Sequence, residues 1–414
     1  MFVPGAFPSL TFNARLTTDL QDSITRYLAT GQGTTLLVHG ASKTGKTVLV
    51  ERWLNPDSAI WIKGDEITSV NELYGRIIDD LGLFTETTVS QQSTDSGGGD
   101  AGIEAGIGQV LRFKMGLNAQ ISESYGTVTS RRAMNVSVVK AALRNKPVPI
   151  VIDDFHFIDH SLRVDVAKAI KDLARLTRVV LIAIPHAVFE PLQRLQDLDW
   201  RVSYLEVKSW ATDELIKIAH DGFPLLGIVD HSDAIGDRLA QESRGAPAIM
   251  QTLCLEYSTQ VLGVWVTRHP AVDASTPPNW DAFMTRLANE RKPVAFEKLK
   301  SGKETRGVSR TARTLYSGEV TDIYGAVLYT LAQMGVLDRV SKSEVAHKMS
   351  ELVQDAPTAS VISGTLVHLA EIAETMRGQS DPALSYQDPD LQILDPFLGF
   401  YLAHGEWALP RLPH

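Results

Sequence analysis

With 414 residues and 44% apolar side chains, the chain can build about two to four domains, each with its own core. A net charge of −9 excludes a general polyanion-binding surface, so any nucleic-acid contact needs a local basic patch. No run of 18 residues is free of charge, which argues against a membrane-spanning helix. The lone cysteine, Cys254, excludes an internal disulfide, argues against a cysteine-based metal site and fits a cytoplasmic location.

In chain order, residues 34–39 read as a short buried strand and residues 47–53 as a helix. Between them, Gly40-Ala41-Ser42-Lys43-Thr44-Gly45-Lys46-Thr47 fits G-x-x-x-x-G-K-[ST], a phosphate-binding loop. A strand, a glycine turn and a helix aim backbone N–H groups and the positive helix end at phosphates. Lys46 would reach the β- and γ-phosphates, and the Thr47 hydroxyl would bind Mg²⁺. Lys43 adds a phosphate contact or is merely solvated. Residues 59–62 form the next apolar run. A helix follows behind the capping pattern Ser69-Val70-Asn71-Glu72, with Leu73, Ile77 and Leu81 on one face.

Residues 86–101 are rich in Ser, Thr, Gln and Gly and should be mobile. Over 103–121, apolar and polar residues alternate, which predicts a β-hairpin insertion within about 86–130, turning near Gly108-Gln109. Such a hairpin packs on its own domain, meets a neighbouring subunit, or inserts into lipid.

Ile150-Val151-Ile152-Asp153-Asp154 is an apolar strand that ends in two carboxylates. It would place Asp153 beside the phosphate loop to hold Mg²⁺, with Asp154 as the base or water-orienting carboxylate. Aspartate is one methylene shorter than glutamate, so turnover is expected to be slow or to need an incoming group. His156, between Phe155 and Phe157, reads as structural, with a role near the carboxylates left open. The strand over 179–184 leads into Pro185-His186. His186 is therefore the candidate γ-phosphate sensor, against the alternative of an ordinary turn histidine. Arg201 opens the strand at 202–207. It is either a charge reaching a neighbouring subunit's nucleotide or a solvated strand-edge arginine. Residues 1–210 thus read as an α/β core with a parallel sheet flanked by helices.

Residues 211–290 show no convincing strand, and helices predicted at 212–220, 232–243 and 247–262 make a helical lid. Gly245 and Pro247, in Arg244-Gly245-Ala246-Pro247, suit a tight turn into a helix that borders a nucleotide. Residues 286–313 hold nine Lys/Arg against three Glu, a net +6, which marks a basic linker over 291–315. Residues 316–414 read as a winged helix, with helices at 320–335, 343–353 and 358–377 and an extended stretch at 383–386. The last of these helices offers only His368 and Arg377 as cations, against Glu371 and Glu374. Base readout by it is not expected.

Taken together, GASKTGKT, VIDD and the turn Gly245-Ala246-Pro247 resemble the AAA+ and STAND group of P-loop ATPases, over roughly residues 10–404. The stretch from Ile393 to Leu402 resembles the end of the winged helix in prokaryotic ATPases related to origin-recognition and transposition-regulator proteins. The resemblance implies a P-loop fold with strand order 5-1-4-3-2, ATP or ADP between core and lid, and homo-oligomers assembled by ATP. It also implies a bacterial signalling or defence role with a partner effector protein. Ala248 stands where AAA+ proteins carry a second sensor arginine, which favours a switch over a processive motor. Two other functions compete with an ATP-hydrolysing switch. One is an ATPase loaded non-specifically on duplex DNA through the basic linker and winged helix, and the other is a scaffold that binds nucleotide without turnover.

Overall fold

The computed structural model describes residues 1–15, 19–86, 110–112, 136–184, 201–274, 278–304, 310–334, 339–376 and 382–407. Five apolar runs become the strands β1 (Thr35–His39), β2 (Ile60–Lys63), β3 (Ile150–Asp153), β4 (Val179–Ala183) and β5 (Val202–Glu206). They pair in parallel in the order β2-β3-β4-β1-β5, which is 5-1-4-3-2 read from the other edge. Successive residues of a strand face opposite sides, so runs apolar at every position demand cover on both faces. Helices α1 (Leu20–Thr30) and α2 (Lys46–Glu51) lie on the face bearing Leu36, Val38, Val151, Val180 and Ile182. Helices α3 (Val70–Asp80), α4 (Val136–Asn145) and α5 (Arg163–Ala174) lie on the face bearing Leu37, Ile150, Ile152 and Leu181. The Ser69 hydroxyl caps α3 by accepting from the Glu72 N–H at 3.1 Å.

Of the 103–121 stretch, only Val110–Arg112 is described, and it pairs antiparallel with Phe84–Glu86. The remainder of the expected hairpin lies outside the described residues.

Beyond β5 come α6 (Thr212–Leu226), α7 (Ala234–Glu242), α8 (Pro247–Glu256), α9 (Trp280–Glu290) and α10 (Ala295–Ser301). A two-residue parallel pair, Ile228–Val229 with Val272–Asp273, sits in a stretch expected to hold no strand. Helix α10 forms inside the stretch read as a basic linker, because Ala295, Phe296 and Leu299 bury one face while the lysines stay on the other.

Next come α11 (Ile323–Gln333), β6 (Val340–Ser341), α12 (Lys342–Leu352), α13 (Ala359–Thr375), β7 (Leu384–Gln387), β8 (Asp390–Ile393) and α14 (Pro396–His404). The three strands form an antiparallel sheet in the order β6-β8-β7. Buried side chains from α6 through α14, with Phe2, form one continuous hydrophobic cluster. The charge run at 286–313 therefore marks no break in packing. Among the described residues, no helix is long and apolar enough to cross a membrane.

A buried ion pair fastens α7 to the end of α14. Glu242 meets His404 at 2.9 Å and Arg238 at 2.7 Å. Burial pushes the Glu242 carboxyl up, but the His404 bond and the charges of His404, Arg238 and Arg244 outweigh it. The group sits below the usual carboxylate value. Its stabilisation is therefore complete above the unfolded carboxylate value of about 4.3 and is lost as pH falls through the lower folded value. Glu242→Gln should cost about 2 kcal/mol at neutral pH. In melts run across pH, its difference from the wild type should shrink below about pH 4.

Candidate functional site

In a parallel sheet of this order, ligands sit in the crevice beyond the carboxyl ends of the strands. Strand β1 ends at His39, and the chain turns through Gly40 (φ 156°), Lys43 (φ 62°) and Gly45 (φ 88°) into α2. A Cβ on Gly40 would lie 2.1 Å from the Val207 carbonyl oxygen, so only glycine lets the loop pass β5 this closely. Lys46, the first residue of α2, is buried. Its Nζ donates to the carbonyls of Gly40 at 3.1 Å and Ala41 at 2.7 Å, which holds the ammonium inside the loop.

Two strands away, β3 delivers its terminal carboxylate to the same place. The Thr47 hydroxyl donates to Asp153 Oδ1 at 3.2 Å, and the Asp154 N–H donates to the same oxygen at 2.9 Å. Burial first, and then the charge of Asp154, push the Asp153 carboxyl up to about 6. The bonds from Thr47 and Asp154 and the charge of Lys46 pull the other way. A half-buried carboxylate with a second carboxylate beside it and a hydroxyl at its oxygen is an oxygen-donor set for a hard divalent cation. Thr47 and Asp153 are thus the residues that would hold Mg²⁺.

Asp154 takes a left-handed backbone (φ 50°) at the start of the turn Phe155–Phe157. That turn is pinned from beneath by buried Arg163, which donates to the carbonyls of His156 at 2.7 Å and Ile158 at 2.9 Å. The His156 ring is buried against Phe157, and both His156 and Asp154 border the cavity described next.

A cavity of about 430 Å³ opens over the loop. Ser42 through Thr47 form its floor, with Lys43 exposed. Pro247, Ala248 and Gln251 of α8 and Ile218 of α6 wall one side. Gly245 lies outside that wall. Its φ of 76° and its carbonyl, which accepts from the Trp210 N–H at 2.9 Å, shape the turn that brings Pro247 in. The volume falls in the range of small-molecule and cofactor sites, about 300–1,000 Å³.

Other walls carry no sequence motif. Residues 3–8 and 11–15 line the cavity and are strapped to the helices of the second half. Asn13 Nδ2 donates to the Glu214 carbonyl at 2.9 Å, Gln251 Nε2 donates to Thr11 Oγ1 at 2.8 Å, and the Val3 N–H donates to Gln251 Oε1 at 3.1 Å. The C-terminal helices also reach the loop. The Ser42 N–H donates to the Leu394 carbonyl at 3.0 Å, buried Leu394 packs with the core beneath the sheet, and Phe397 lines the cavity.

His186 lies outside the described residues. Arg201 sits at the amino end of β5, where its carbonyl accepts from the Thr35 N–H at 2.8 Å. In parallel register that is the opposite end of the sheet from the loop that follows His39. Any action of Arg201 on a nucleotide would have to be on a neighbouring subunit's.

No protein-family model matches the chain. The thiamine import ATP-binding protein ThiQ of Salmonella typhimurium is 23% identical over 221 residues, covering 49% of this chain and 91% of that protein. A solved Walker-type ATPase of Pyrococcus abyssi aligns over 93% of this chain and 94% of its own, with a TM-score of 0.52 and 13% identity. Cdc6p from Pyrobaculum aerophilum aligns over 97% and 96%, with a TM-score of 0.40 and 12% identity. The parallel sheet, the helices on both its faces and the glycine loop closing β1 give this chain the fold of a P-loop ATPase.

Proposed function

We propose that the chain is a nucleotide-operated switch of the AAA+/STAND kind, which binds ATP or ADP with Mg²⁺ in the cavity over residues 40–47 and hydrolyses ATP slowly. The observation that carries this is the meeting of Thr47 with Asp153 at 3.2 Å, beside buried Lys46, on the floor of that cavity. Lys46 and the loop amides hold the phosphates, Thr47 and Asp153 hold the cation, and Asp154 orients the attacking water. When bound, Mg²⁺ neutralises charge on the phosphate oxygens. In this reading α6–α9 act as the lid, α11–α13 with their small sheet are a winged helix, and Pro247 closes over the nucleotide.

The switch aspect draws support from the Ser42–Leu394 bond, because it ties the phosphate loop to the C-terminal helices. Phosphates that pull on the loop act on that contact. Light scattering should show a change of mass or shape between Mg-ADP and Mg with a non-hydrolysable ATP analogue, and Lys46→Ala should abolish it. An unchanged scattering profile in every nucleotide state would refute the switch and leave a nucleotide-binding scaffold. A partner effector and a role in bacterial signalling or defence rest on the resemblance alone.

Loading on duplex DNA through residues 291–315 is the competing reading. Several cations of that stretch face internal partners: Lys292 pairs with Glu297, Lys303 with Glu371, and Arg310 with Asp322. On α13, His368 bonds the Tyr324 hydroxyl at 3.0 Å. Paired cations release fewer counterions on meeting phosphates, so the geometry favours the switch.

A further inference from the structure

The connection from β5 to α6 runs beside the phosphate loop, and one residue in it, Trp210, touches three parts of the molecule. The indole Nε1 of half-buried Trp210 donates to the Thr44 carbonyl at 2.9 Å. The main-chain N–H of Trp210 donates to the Gly245 carbonyl at 2.9 Å, in the turn that starts α8. That contact is tight, since a Cβ on Gly245 would stand 2.9 Å from the Ser209 Cβ. The Arg15 guanidinium lies 5.1 Å from the centre of the indole ring. Arg15 is itself fixed by two 2.9 Å bonds to the Glu214 carboxylate on α6 and one of 2.9 Å to the Lys208 carbonyl.

A trans peptide points its C=O and N–H to opposite sides. An indole that holds the Thr44 carbonyl therefore also sets the direction of the Gly45 N–H, one of the loop amides at the positive end of α2. A cation over the ring withdraws charge from the indole and strengthens its N–H as a donor.

We propose that Trp210 is a positioning residue for the phosphate loop, and that through it the β-phosphate of a bound nucleoside di- or triphosphate acts on the turn before α8. This rests on the nucleotide reading above. The bond to Thr44 aims the Gly45 amide at the phosphate, and the bond to Gly245 carries any displacement of the loop to Pro247 and α8. Arg15 keeps the ring in place from the N-terminal side, so the loop, the turn and the N-terminal segment move as one.

The test is Trp210→Phe, which keeps an aromatic ring under Arg15 and removes the donor together with the rest of the indole. Calorimetry should show Mg-ADP bound about tenfold more weakly, the loss expected for one hydrogen bond to a phosphate-binding peptide. Hydrogen exchange at saturating Mg-ADP should protect residues 244–250 in the wild type and not in Trp210→Phe. A purely structural role would lower the melting temperature and leave affinity and protection alone.

Equal affinity and equal protection in the two proteins, with the wild type binding, overturn this inference and leave the nucleotide reading standing. A wild type that binds no Mg-nucleotide overturns both. Should the variant fold poorly, the wild type still decides: nucleotide that leaves residues 244–250 unprotected overturns the proposal.

Discussion

Lys46→Ala should bind Mg-ATP about 10- to 150-fold more weakly than the wild type and show no measurable turnover, the loss expected for a charge-assisted bond to phosphate. The reason lies in how the ammonium is held. Its Nζ bonds the Gly40 and Ala41 carbonyls at 3.1 and 2.7 Å, so in the free protein it is already placed and largely dehydrated. A phosphate therefore meets a preorganised charge that no other described side chain at the loop floor replaces, since Lys43 is exposed. Titration calorimetry with a non-hydrolysable ATP analogue measures the affinity and phosphate release measures turnover. A variant that binds as tightly as the wild type would remove Lys46 from the site.

The two neighbouring carboxylates should fail in different ways. Asp153→Asn keeps shape but removes the charge next to Thr47, so nucleotide binding should lose its dependence on Mg²⁺. Asp154→Asn leaves the Thr47–Asp153 pair intact, so nucleotide should still bind. Turnover should nevertheless fall about 10²- to 10⁴-fold, the usual contribution of a positioned base. Mg²⁺ titrations of binding beside single-turnover phosphate release separate the two. Identical behaviour of the two variants would sink a separate water-orienting role for Asp154. Its charge helps raise the Asp153 carboxyl to about 6, so Asp154→Asn should favour the ionised form of Asp153.

The floor of the site was legible because its signals are local. Gly40, Gly45, Lys46 and Thr47 are fixed in one turn by backbone sterics and helix geometry. Asp153 announces itself as a carboxylate ending an apolar strand, and parallel pairing leaves such strands few places to go. The walls were not legible. Val3, Thr11 and Asn13 carry no periodic pattern, and their partners Gln251 and Glu214 lie two hundred or more residues away. Trp210 looks like any aromatic in a loop until the Thr44 carbonyl is seen beside it.

Helix α9 was readable in hindsight: Asn279 caps it through the Ala282 N–H, and Phe283, Met284, Leu287 and Ala288 share one face. It lies inside the stretch read as the lid, yet the sequence reading predicts no helix at 280–290. Arg201 is different: parallel register with β1 fixes it at the amino end of the sheet, far from its own loop, and leaves the neighbouring-subunit reading for an assembled form to test.

Leu394 gives the C-terminal helices an anchor. Its side chain, 2% exposed, packs with the core beneath the sheet, while its carbonyl takes the Ser42 N–H. In the proposed switch, lifting those helices away would bring Leu394 into water at about 2 kcal/mol, besides breaking the Ser42 bond. The size of that one side chain then sets part of the threshold. A valine or alanine at 394 would give a hair-trigger protein and a bulkier, well-fitted residue a reluctant one, with every atom that touches the phosphates left in place.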